Sequence, residues 1–367
     1  MARGRSWLAG LLVLLAGCAT NPDFDARKTH HTERGFRNLY PYEQPGFLNL
    51  LRWQWERRDP PPPVQGYASL EVLRPDVAML AANRTATTVT WIGHATLLVQ
   101  VGGFNILTDP QFSERASPVS FAGPQRKVRL PLTLAELPRI DVVMISHNHY
   151  DHLDRDTVQA LNAQAGGPPQ FLVPLGVNHW MLDQGIARVK GMDWWERFDV
   201  GNGVAIHFVP AHHWSARGLT DRFATLWGGY VVERAGSADN TGTAGNAGSG
   251  GTAPFRFYFA GDTGYSPLFA NELRQRFAPI DLAALPIGAY EPRWFMRNQH
   301  INPAEAAQIM RDLEVRQAIG MHWGTFELTD EPLDQPPRDL AEALRAAGEK
   351  PERFWVFRHG ETRVLQR

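Results

Sequence analysis

The chain has 367 residues and a formal net charge of -1; 43% of its residues are hydrophobic and 20% are charged. This balance excludes a nucleic-acid-binding protein, which needs a basic excess to neutralise phosphates, and a disordered chain, which has fewer apolar residues. A single cysteine excludes an intrachain disulfide, and the length suffices for one large domain or two ordinary ones.

The amino terminus has the features of a bacterial signal peptide. Arg3 and Arg5 precede an uncharged apolar run at residues 8–17, which is too short to span a bilayer. The run ends in the letters LAGC at residues 15–18, which resemble a lipobox, so we predict a signal peptide at 1–17 and lipid modification of Cys18. An ordinary signal peptide with an incidental cysteine is the alternative. Ala19 is not the aspartate associated with inner-membrane retention, so the predicted location is the cell envelope, lipid-anchored in the outer membrane and facing the periplasm.

The next segment, residues 18–86, is predicted to be a tether followed by an amphipathic, proline-rich region. Phe47, Leu51 and Trp55 recur at helical spacing within FLNLLRWQWERR, with arginines alongside. One interpretation is a helix packed on the main domain. The other is an amphipathic helix at a lipid surface, where tryptophan and arginine are favoured. The prolines at residues 60–63 end any such helix.

The main domain is predicted at residues 87–367 and alternates between strands and helices. The predicted strands are Thr88–Trp91, Ala95–Val101, Phe104–Thr108, Ile140–Ser146, Val204–Pro210, Phe255–Ala260, Ile280–Pro286, Ala318–Met321 and Phe354–Arg358. The predicted helices are Asp154–Asn162, with Asp154 as N-cap, and Pro303 to about Leu313, behind the N-cap Asn302. The pair at 102–103 predicts a two-glycine hairpin turn, and the small, polar residues at 235–253 predict a flexible insertion. Two similar halves of this kind indicate an α/β fold with two mixed sheets packed between helices.

The motif HNHYDH at residues 147–152 directly follows the predicted buried strand Ile140–Ser146. Because alternate residues leaving a strand point the same way, His147 and His149 can bind one metal ion, and Asp151 and His152 can then reach a second. Imidazole and carboxylate suit zinc, and also iron or manganese. A surface histidine cluster is the alternative, but further candidate ligands follow later strands. They are His213, Asp262 and His322.

The layout H-x-H-x-D-H followed by His, Asp and His resembles the metallo-β-lactamase superfamily. A narrower resemblance, to the N-acylphosphatidylethanolamine-hydrolysing phospholipase D family, extends from Thr90 to Phe326. It is carried by TWIGHATLLV, ILTDPQFSERASP, GPQRKVR, ELPRIDVVMISHNHYDHLD, PAHHWS, FYFAGDTGY, IGAYEPRWFM, QHINPAEA and MHWGTF. The low-complexity insertion and the lipobox depart from the family pattern. The resemblance implies a metallo-β-lactamase-type αββα sandwich and an enzyme.

The resemblance also implies two Zn²⁺ ions held by seven ligands. One ion would be held by His147, His149 and His213, the other by Asp151, His152 and His322, with Asp262 bridging both. We choose His213 over His212 because His213 precedes Trp214, as the family's ligand does. The implied catalytic residues are Asp262, Tyr150 and His300, of which Tyr150 and His300 contact the substrate phosphate. The alternatives are that Tyr150 only supports the ligands and that His300 only orders the loop before the Asn302 cap. His94 and Asp109 lie at strand ends in the shared motifs; a support behind the ligands is one role for them, and the sequence does not choose it over others.

The implied reaction is hydrolysis of an (N-acyl)phosphatidylethanolamine by metal-activated water to phosphatidic acid and an (N-acyl)ethanolamine, so the expected partner is a membrane phospholipid. A hydrolase of another ester, lactone, lactam or phosphodiester is one alternative, and a non-enzymatic envelope lipoprotein is another. The complete ligand set argues against the second. The unrelated phospholipase D mechanism that uses H-x-K is excluded because the chain contains no H-x-K. The oligomeric state is not predicted.

Overall fold

A computed structural model of the chain describes residues 20–57, 61–64, 66–236 and 253–365. The predicted signal peptide, Cys18 and most of the predicted insertion at 235–253 lie outside the described residues. Within those described ranges, no helix combines the length and the apolar character needed to cross a membrane.

The strands of the described residues form two large sheets and one small hairpin. In chain order they are β1 His31–Thr32, β2 Gly35–Phe36, β3 Thr88–Gly93, β4 Thr96–Val101, β5 Phe104–Thr108, β6 Val142–Met144, β7 Gln170–Pro174, β8 Val189–Met192, β9 Arg197–Gly201, β10 Val204–Val209, β11 Gly229–Arg234, β12 Phe255–Phe259, β13 Leu282–Pro286, β14 Gln317–Met321, β15 Phe354–Trp355 and β16 Thr362–Val364. The first sheet has the order β16-β3-β4-β5-β6-β7-β8, and the second has the order β15-β14-β13-β12-β11-β10-β9. Each is mixed, because β5 to β8 and β12 to β15 pair in parallel while the remaining neighbours are antiparallel.

The described residues also contain α-helices. They are α1 Phe47–Glu56, α2 Val77–Ala82, α3 Arg155–Asn162, α4 Val177–Asp183, α5 Arg274–Phe277, α6 Arg293–Met296, α7 Pro303–Asp312 and α8 Gln335–Ala346. Side chains of α3 and α4, such as Val158 and Met181, pack on the first sheet, while Ile309 of α7 and Leu340 of α8 belong to the core around the second. The predicted αββα sandwich is therefore the observed architecture.

The largest buried cluster fills the space between the two sheets. Trp91 and Val99 of the first sheet and Phe208 and Tyr230 of the second are at most 1% exposed in it. A strand that is buried on both faces is expected to be a continuous apolar run, and β13 is one. The core thus fixes the two sheets against each other, so that their strand ends meet at one edge.

Several predicted details differ from the structure. The strand predicted at Ile140–Ser146 is only β6, because Ser146 leaves the ladder and its backbone N–H donates to Asp109 Oδ1 at 2.7 Å. Asp154 does precede α3, but its carboxylate accepts from the Thr157 hydroxyl and from the Ser113 backbone N–H instead of capping the helix backbone. The helix behind Asn302 has the predicted cap, since Asn302 and Glu305 form a capping box. The two-glycine hairpin turn is also confirmed, with φ values of 61° and 86°.

The segment before residue 58 packs on the sandwich. Phe36 is 3% exposed within the main core, and Trp53 of α1 is buried against Phe295 and Met296. On the other side of α1, Phe47 and Trp55 are 72% and 91% exposed. The helix therefore packs on the domain through one face while it presents aromatic side chains to the surroundings on the other.

Candidate metal centre

The predicted ligands lie at the carboxyl ends of strands from both sheets. The loop after β6 carries residues 147–152 and folds into one turn, in which the backbone N–H groups of His152 and Leu153 donate to the His149 carbonyl at 3.1 and 2.9 Å. Because of this turn, the side chains of His147 and His149 point in a different direction from those of Asp151 and His152. His213 follows β10, Asp262 follows β12 and His322 follows β14. Parallel strands end at the same edge of a sheet, so ligands far apart in sequence converge here.

Three histidines form one group, which we call the three-imidazole cluster: His147, His149 and His213. Their ligand atoms lie within 4.8 Å of one another. His147 Nε2 is 2.8 Å from His149 Nδ1, so the two nitrogens face a common point. All three imidazoles are buried or nearly buried. The loop after β6 supplies two of these ligands, and the second sheet supplies the third.

A second group, which we call the aspartate cluster, contains Asp151, His152 and His322. Asp151 Oδ2 is 3.3 Å from His152 Nε2 and 3.4 Å from His322 Nε2, and the two imidazole nitrogens are 3.1 Å apart. His94 Nε2 approaches the same Asp151 oxygen at 2.9 Å. His94 therefore contacts the carboxylate of this cluster, and its ligand atom lies within 4.8 Å of those of Asp151, His152 and His322.

Asp262 lies between the two clusters. Its Oδ2 is 3.8 Å from His147 Nε2 and 3.1 Å from His152 Nε2, and its Oδ1 is 3.2 Å from His322 Nε2. His213 Nε2 is 3.9 Å from Oδ2. One carboxylate thus faces ligands of both clusters, which is the arrangement needed to bridge two cations.

Hydrogen bonds hold the outer nitrogens of these imidazoles. His152 Nδ1 lies 2.7 Å from Asp109 Oδ2, and His213 Nδ1 lies 2.9 Å from the Gln299 carbonyl oxygen. His213 Nε2 is buried and has no hydrogen-bond partner among the described residues. A neutral imidazole held at one nitrogen and free at the other has the form that binds a metal ion. The donor set and its free inward atoms therefore fit divalent cations.

The sequence did not indicate that the Gln299 backbone carbonyl holds a ligand. No side-chain pattern encodes a carbonyl that only the fold brings into contact. His94 and Asp109 were named from the shared motifs, and both have left-handed backbone conformations, with φ of 53° and 32°. Such conformations are costly for residues other than glycine and cluster at functional sites.

The two clusters differ in their electrostatics. Burial lowers the pKa of His149 to about 4 and that of His213 to about 3, so these imidazoles are neutral at pH 7. Burial also acts against a charged His322, but the carboxylates of Asp262 and Asp151 outweigh it and raise its pKa to about 9. The same two carboxylates raise the pKa of His152 against the effect of its burial.

Tyr150 and His300 line a cavity of about 480 Å³ that reaches Asp151 and Asp262. His300 Nδ1 lies 3.9 Å from Asp262 Oδ2 and is buried without a hydrogen-bond partner among the described residues. The Tyr150 hydroxyl donates to the Arg217 carbonyl at 3.0 Å, and the Arg217 guanidinium lies 4.0 Å from the centre of the Tyr150 ring. The structure thus brings both predicted substrate-contacting residues to the mouth of the centre.

Comparisons with known proteins agree with this arrangement. A family model described as a β-lactamase superfamily domain matches residues 104–323. The chain is 41% identical to N-acyl-phosphatidylethanolamine-hydrolysing phospholipase D 1 of Caenorhabditis elegans, over 71% of this chain and 70% of that protein. It is 34% identical to the mitochondrial N-acyl-phosphatidylethanolamine-hydrolysing phospholipase D of Saccharomyces cerevisiae, over 74% of this chain and 55% of that protein. Among solved structures, an isothiocyanate hydrolase from Delia radicum gut bacteria superposes with a TM-score of 0.56 at 19% identity, over 76% of this chain and 98% of that one. At that identity the structural match supports the fold alone.

Proposed function

This chain belongs to the β-lactamase superfamily and is a metallo-hydrolase, and from that premise we propose that it is a zinc-dependent phosphodiesterase of the phospholipase D type. The proposed substrate is an (N-acyl)phosphatidylethanolamine, cleaved on the headgroup side to phosphatidic acid and an (N-acyl)ethanolamine. The observation that carries the proposal is the position of the cavity, which joins a cation-binding floor to an apolar wall.

The wall of the cavity suits acyl chains. Phe47, Leu50 and Trp53 of α1 line it, together with Phe295. A phosphodiester lipid has an anionic centre and long apolar chains, so a site for it needs cations beside apolar surface. The floor, with Asp151 and Asp262 among its lining residues, supplies the position of the cations.

Positive charge from the protein itself also lies at the rim. The Arg222 guanidinium lines the same cavity and stacks on the Trp214 ring at 4.2 Å. No ion pair between Arg222 and a carboxylate occurs in the described part of the chain. An unpaired guanidinium there favours an anionic substrate over a neutral ester.

When bound, the two zinc ions would lower the pKa of water and offset negative charge on the phosphate oxygens. The three-imidazole cluster would hold one ion and the aspartate cluster the other, with Asp262 shared. His300 is neutral, because burial lowers its pKa to about 3, so it offers a hydrogen bond to the substrate instead of a charge. Arg217 fixes Tyr150 at the cavity mouth, because its guanidinium stacks on the Tyr150 ring and its backbone carbonyl accepts a hydrogen bond from the Tyr150 hydroxyl.

Mass spectrometry of a mixed phospholipid extract, incubated with the zinc-loaded protein in ¹⁸O-water, tests the reaction. We expect phosphatidic acid carrying the solvent oxygen on its phosphate, and an unlabelled ethanolamine or N-acylethanolamine. His300→Ala should lower turnover while both metal ions remain bound, because His300 is not placed as a ligand. Diacylglycerol, a lysolipid or an opened lactam as product would overturn the phospholipase D assignment and leave a dinuclear hydrolase of another substrate.

Zinc as the metal is a separate part of the proposal. The imidazole-rich donor set of the three-imidazole cluster supports zinc, since neutral imidazole is a preferred zinc ligand. Elemental analysis of protein purified without added metal should find close to two zinc ions per chain. Iron or manganese in their place, with full activity, would overturn the zinc assignment.

We also propose that Cys18 carries a lipid anchor that keeps the enzyme at its membrane substrate. The support is the sequence of residues 15–18. Each buried methylene of an acyl chain adds roughly 0.8 kcal/mol of membrane affinity. Cys18→Ser should move the protein out of the membrane fraction or leave its signal peptide unprocessed. A wild-type protein with an intact amino terminus in the soluble fraction would contradict the anchor.

A further inference from the structure

The side chain of Asn38 forms two hydrogen bonds with the backbone of His213, one of the proposed metal ligands. Its Nδ2 donates to the His213 carbonyl at 2.8 Å, and its Oδ1 accepts from the His213 N–H at 3.1 Å. Trp227 Nε1 also donates to this Oδ1 at 3.2 Å. One amide therefore fixes the two peptide groups that flank the Cα of His213. Asn38 lies within the segment that the sequence predicts as a tether, 175 residues from its partner.

The same segment also supports the imidazole of His213. The Tyr42 hydroxyl donates to Gln299 Oε1 at 3.3 Å, and the backbone carbonyl of Gln299 holds His213 Nδ1 at 2.9 Å. Gln299 is 4% exposed. Backbone and ring of His213 are thus both held, directly or through Gln299, by residues 38–42.

An anchor away from the metal centre fastens this segment to the sandwich. His30 Nε2 lies 2.7 Å from Asp193 Oδ1 and His31 Nε2 lies 3.0 Å from Asp193 Oδ2, while Lys28 pairs with the same carboxylate. Burial disfavours the charged carboxylate, but the hydrogen bonds from His30 and Lys28 outweigh it and lower the pKa of Asp193. Lys28, His30 and His31 thus join the segment to one carboxylate of the sandwich.

The position of His213 depends on these hydrogen bonds more than the positions of His147 and His149 do. His147 and His149 share one tightly turned loop, whereas His213 is the single ligand on the loop after β10. A ligand carried alone has its position set by whatever fixes its own backbone. Outer contacts of metal ligands change metal affinity by about 10–100-fold when removed.

We infer that Asn38 is a positioning residue for the metal ligand His213. Residues 20–46, which we call the arm, place Asn38 against the His213 backbone. The inference rests on the metal centre of the proposed function and is independent of the substrate. Without Asn38, the three-imidazole cluster should bind its ion more weakly while the aspartate cluster keeps its own.

The test compares Asn38→Ala with Asn21→Ala. Asn21 is a buried asparagine of the same arm; its Nδ2 donates to the Thr32 and Gly35 carbonyls at 3.3 and 2.9 Å, and its Oδ1 accepts from the Asp23 N–H at 3.0 Å. Its loss therefore removes hydrogen bonds inside the arm, away from the metal centre. Stepwise zinc affinities are measured by competition with a chelator, and thermal unfolding of the metal-free variants checks the fold. We expect Asn38→Ala to weaken one of the two zinc affinities by about 10–100-fold and Asn21→Ala to leave both within about twofold.

A second variant tests the inference without changing Asn38. His31→Ala, in the anchor, should weaken the same zinc affinity as Asn38→Ala, because it removes a contact that joins the arm to Asp193 of the sandwich, whereas the Asn21 hydrogen bonds lie inside the arm. The visible spectrum of the cobalt-substituted protein, which reports on ligand geometry, should change in both variants and not in Asn21→Ala. Wild-type zinc affinities and an unchanged cobalt spectrum in Asn38→Ala, or an equal loss in Asn21→Ala, would overturn the inference. A wild-type protein that binds no metal would overturn the proposed metal centre together with it.

Discussion

The three-imidazole cluster and the aspartate cluster are neighbours of opposite electrostatic character. The first has three imidazoles and no carboxylate of its own, and the Asp262 oxygens lie 3.8–3.9 Å from its nearest ligand nitrogens. The second contains Asp151, and Asp262 is closer to it, at 3.1 and 3.2 Å. Negative charge is therefore concentrated at one end of the centre. In the absence of metal, protons on His152 and His322 balance that charge, whereas the imidazoles of the first cluster stay neutral.

Because of this difference, protons would compete with the metal ion at the aspartate cluster but not at the three-imidazole cluster. A cation entering the three-imidazole cluster meets neutral imidazoles, while one entering the aspartate cluster must displace protons from charged ones. At the aspartate cluster, the carboxylates increase the affinity for a cation, while the need to deprotonate His152 and His322 decreases it. Variants and pH changes that touch one cluster alone therefore separate the two effects.

The largest expected effect belongs to the residue that the clusters share. Asp262→Ala should lose both ions and lower the rate by at least ~10³-fold, because both charge stabilisation and water activation depend on them. His149→Ala, the single-cluster comparison, should lose one ion. Elemental analysis and activity on the same preparations measure both. If Asp262→Ala keeps one tightly bound ion, the carboxylate belongs to one cluster and does not bridge.

Removing the support of the aspartate cluster should have a smaller effect. His94 holds the Asp151 carboxylate at 2.9 Å, so His94→Ala should weaken the affinity of that cluster for its ion by about 10–100-fold. His94→Gln retains an N–H donor and should recover part of the loss, while the ion of the three-imidazole cluster stays bound in both. Chelator competition gives both affinities. Complete loss of an ion in His94→Ala and in His94→Gln would instead identify His94 as a ligand.

The pH dependence of metal loading should differ between the clusters. The pKa of His322 is about 9 in the metal-free protein, so below that pH its proton must leave before the ion binds. Zinc affinity of the aspartate cluster should then rise by about tenfold per pH unit for each displaced proton up to pH 9. His149 and His213, with pKa values of about 4 and 3, give the other cluster no such dependence above pH 5. Calorimetry in buffers of different ionisation enthalpy counts the released protons. Equal proton release at both steps would contradict the comparison.

The sequence predicts the two clusters unequally well, for physical reasons. The contiguous motif at 147–152 carries four ligands on one loop, so local spacing alone indicates a metal site there. His213, Asp262 and His322 were candidates because each follows a predicted strand, but only the family resemblance divided them between two ions, because their convergence depends on the packing of the second sheet. The same limit applies to the fold. Alternation and caps identified most strands and α7, but nothing in the polar residues after Ala19 indicated that Asn38 reaches His213.

The smallest expected effect concerns Tyr150, which lies in the motif but in neither cluster. Its hydroxyl donates to the Arg217 carbonyl at 3.0 Å, and its ring stacks under the Arg217 guanidinium. Tyr150→Phe keeps the stacking and removes one hydrogen bond, a net change of about 1 kcal/mol, which corresponds to roughly a fivefold change in rate. Both ions should remain bound at wild-type affinity, because Tyr150 supplies no ligand atom. The loss should fall on turnover of the lipid, measured with the phosphatidylethanolamine substrate in mixed micelles. A loss of metal in Tyr150→Phe would show instead that this side chain holds the loop on which both clusters depend.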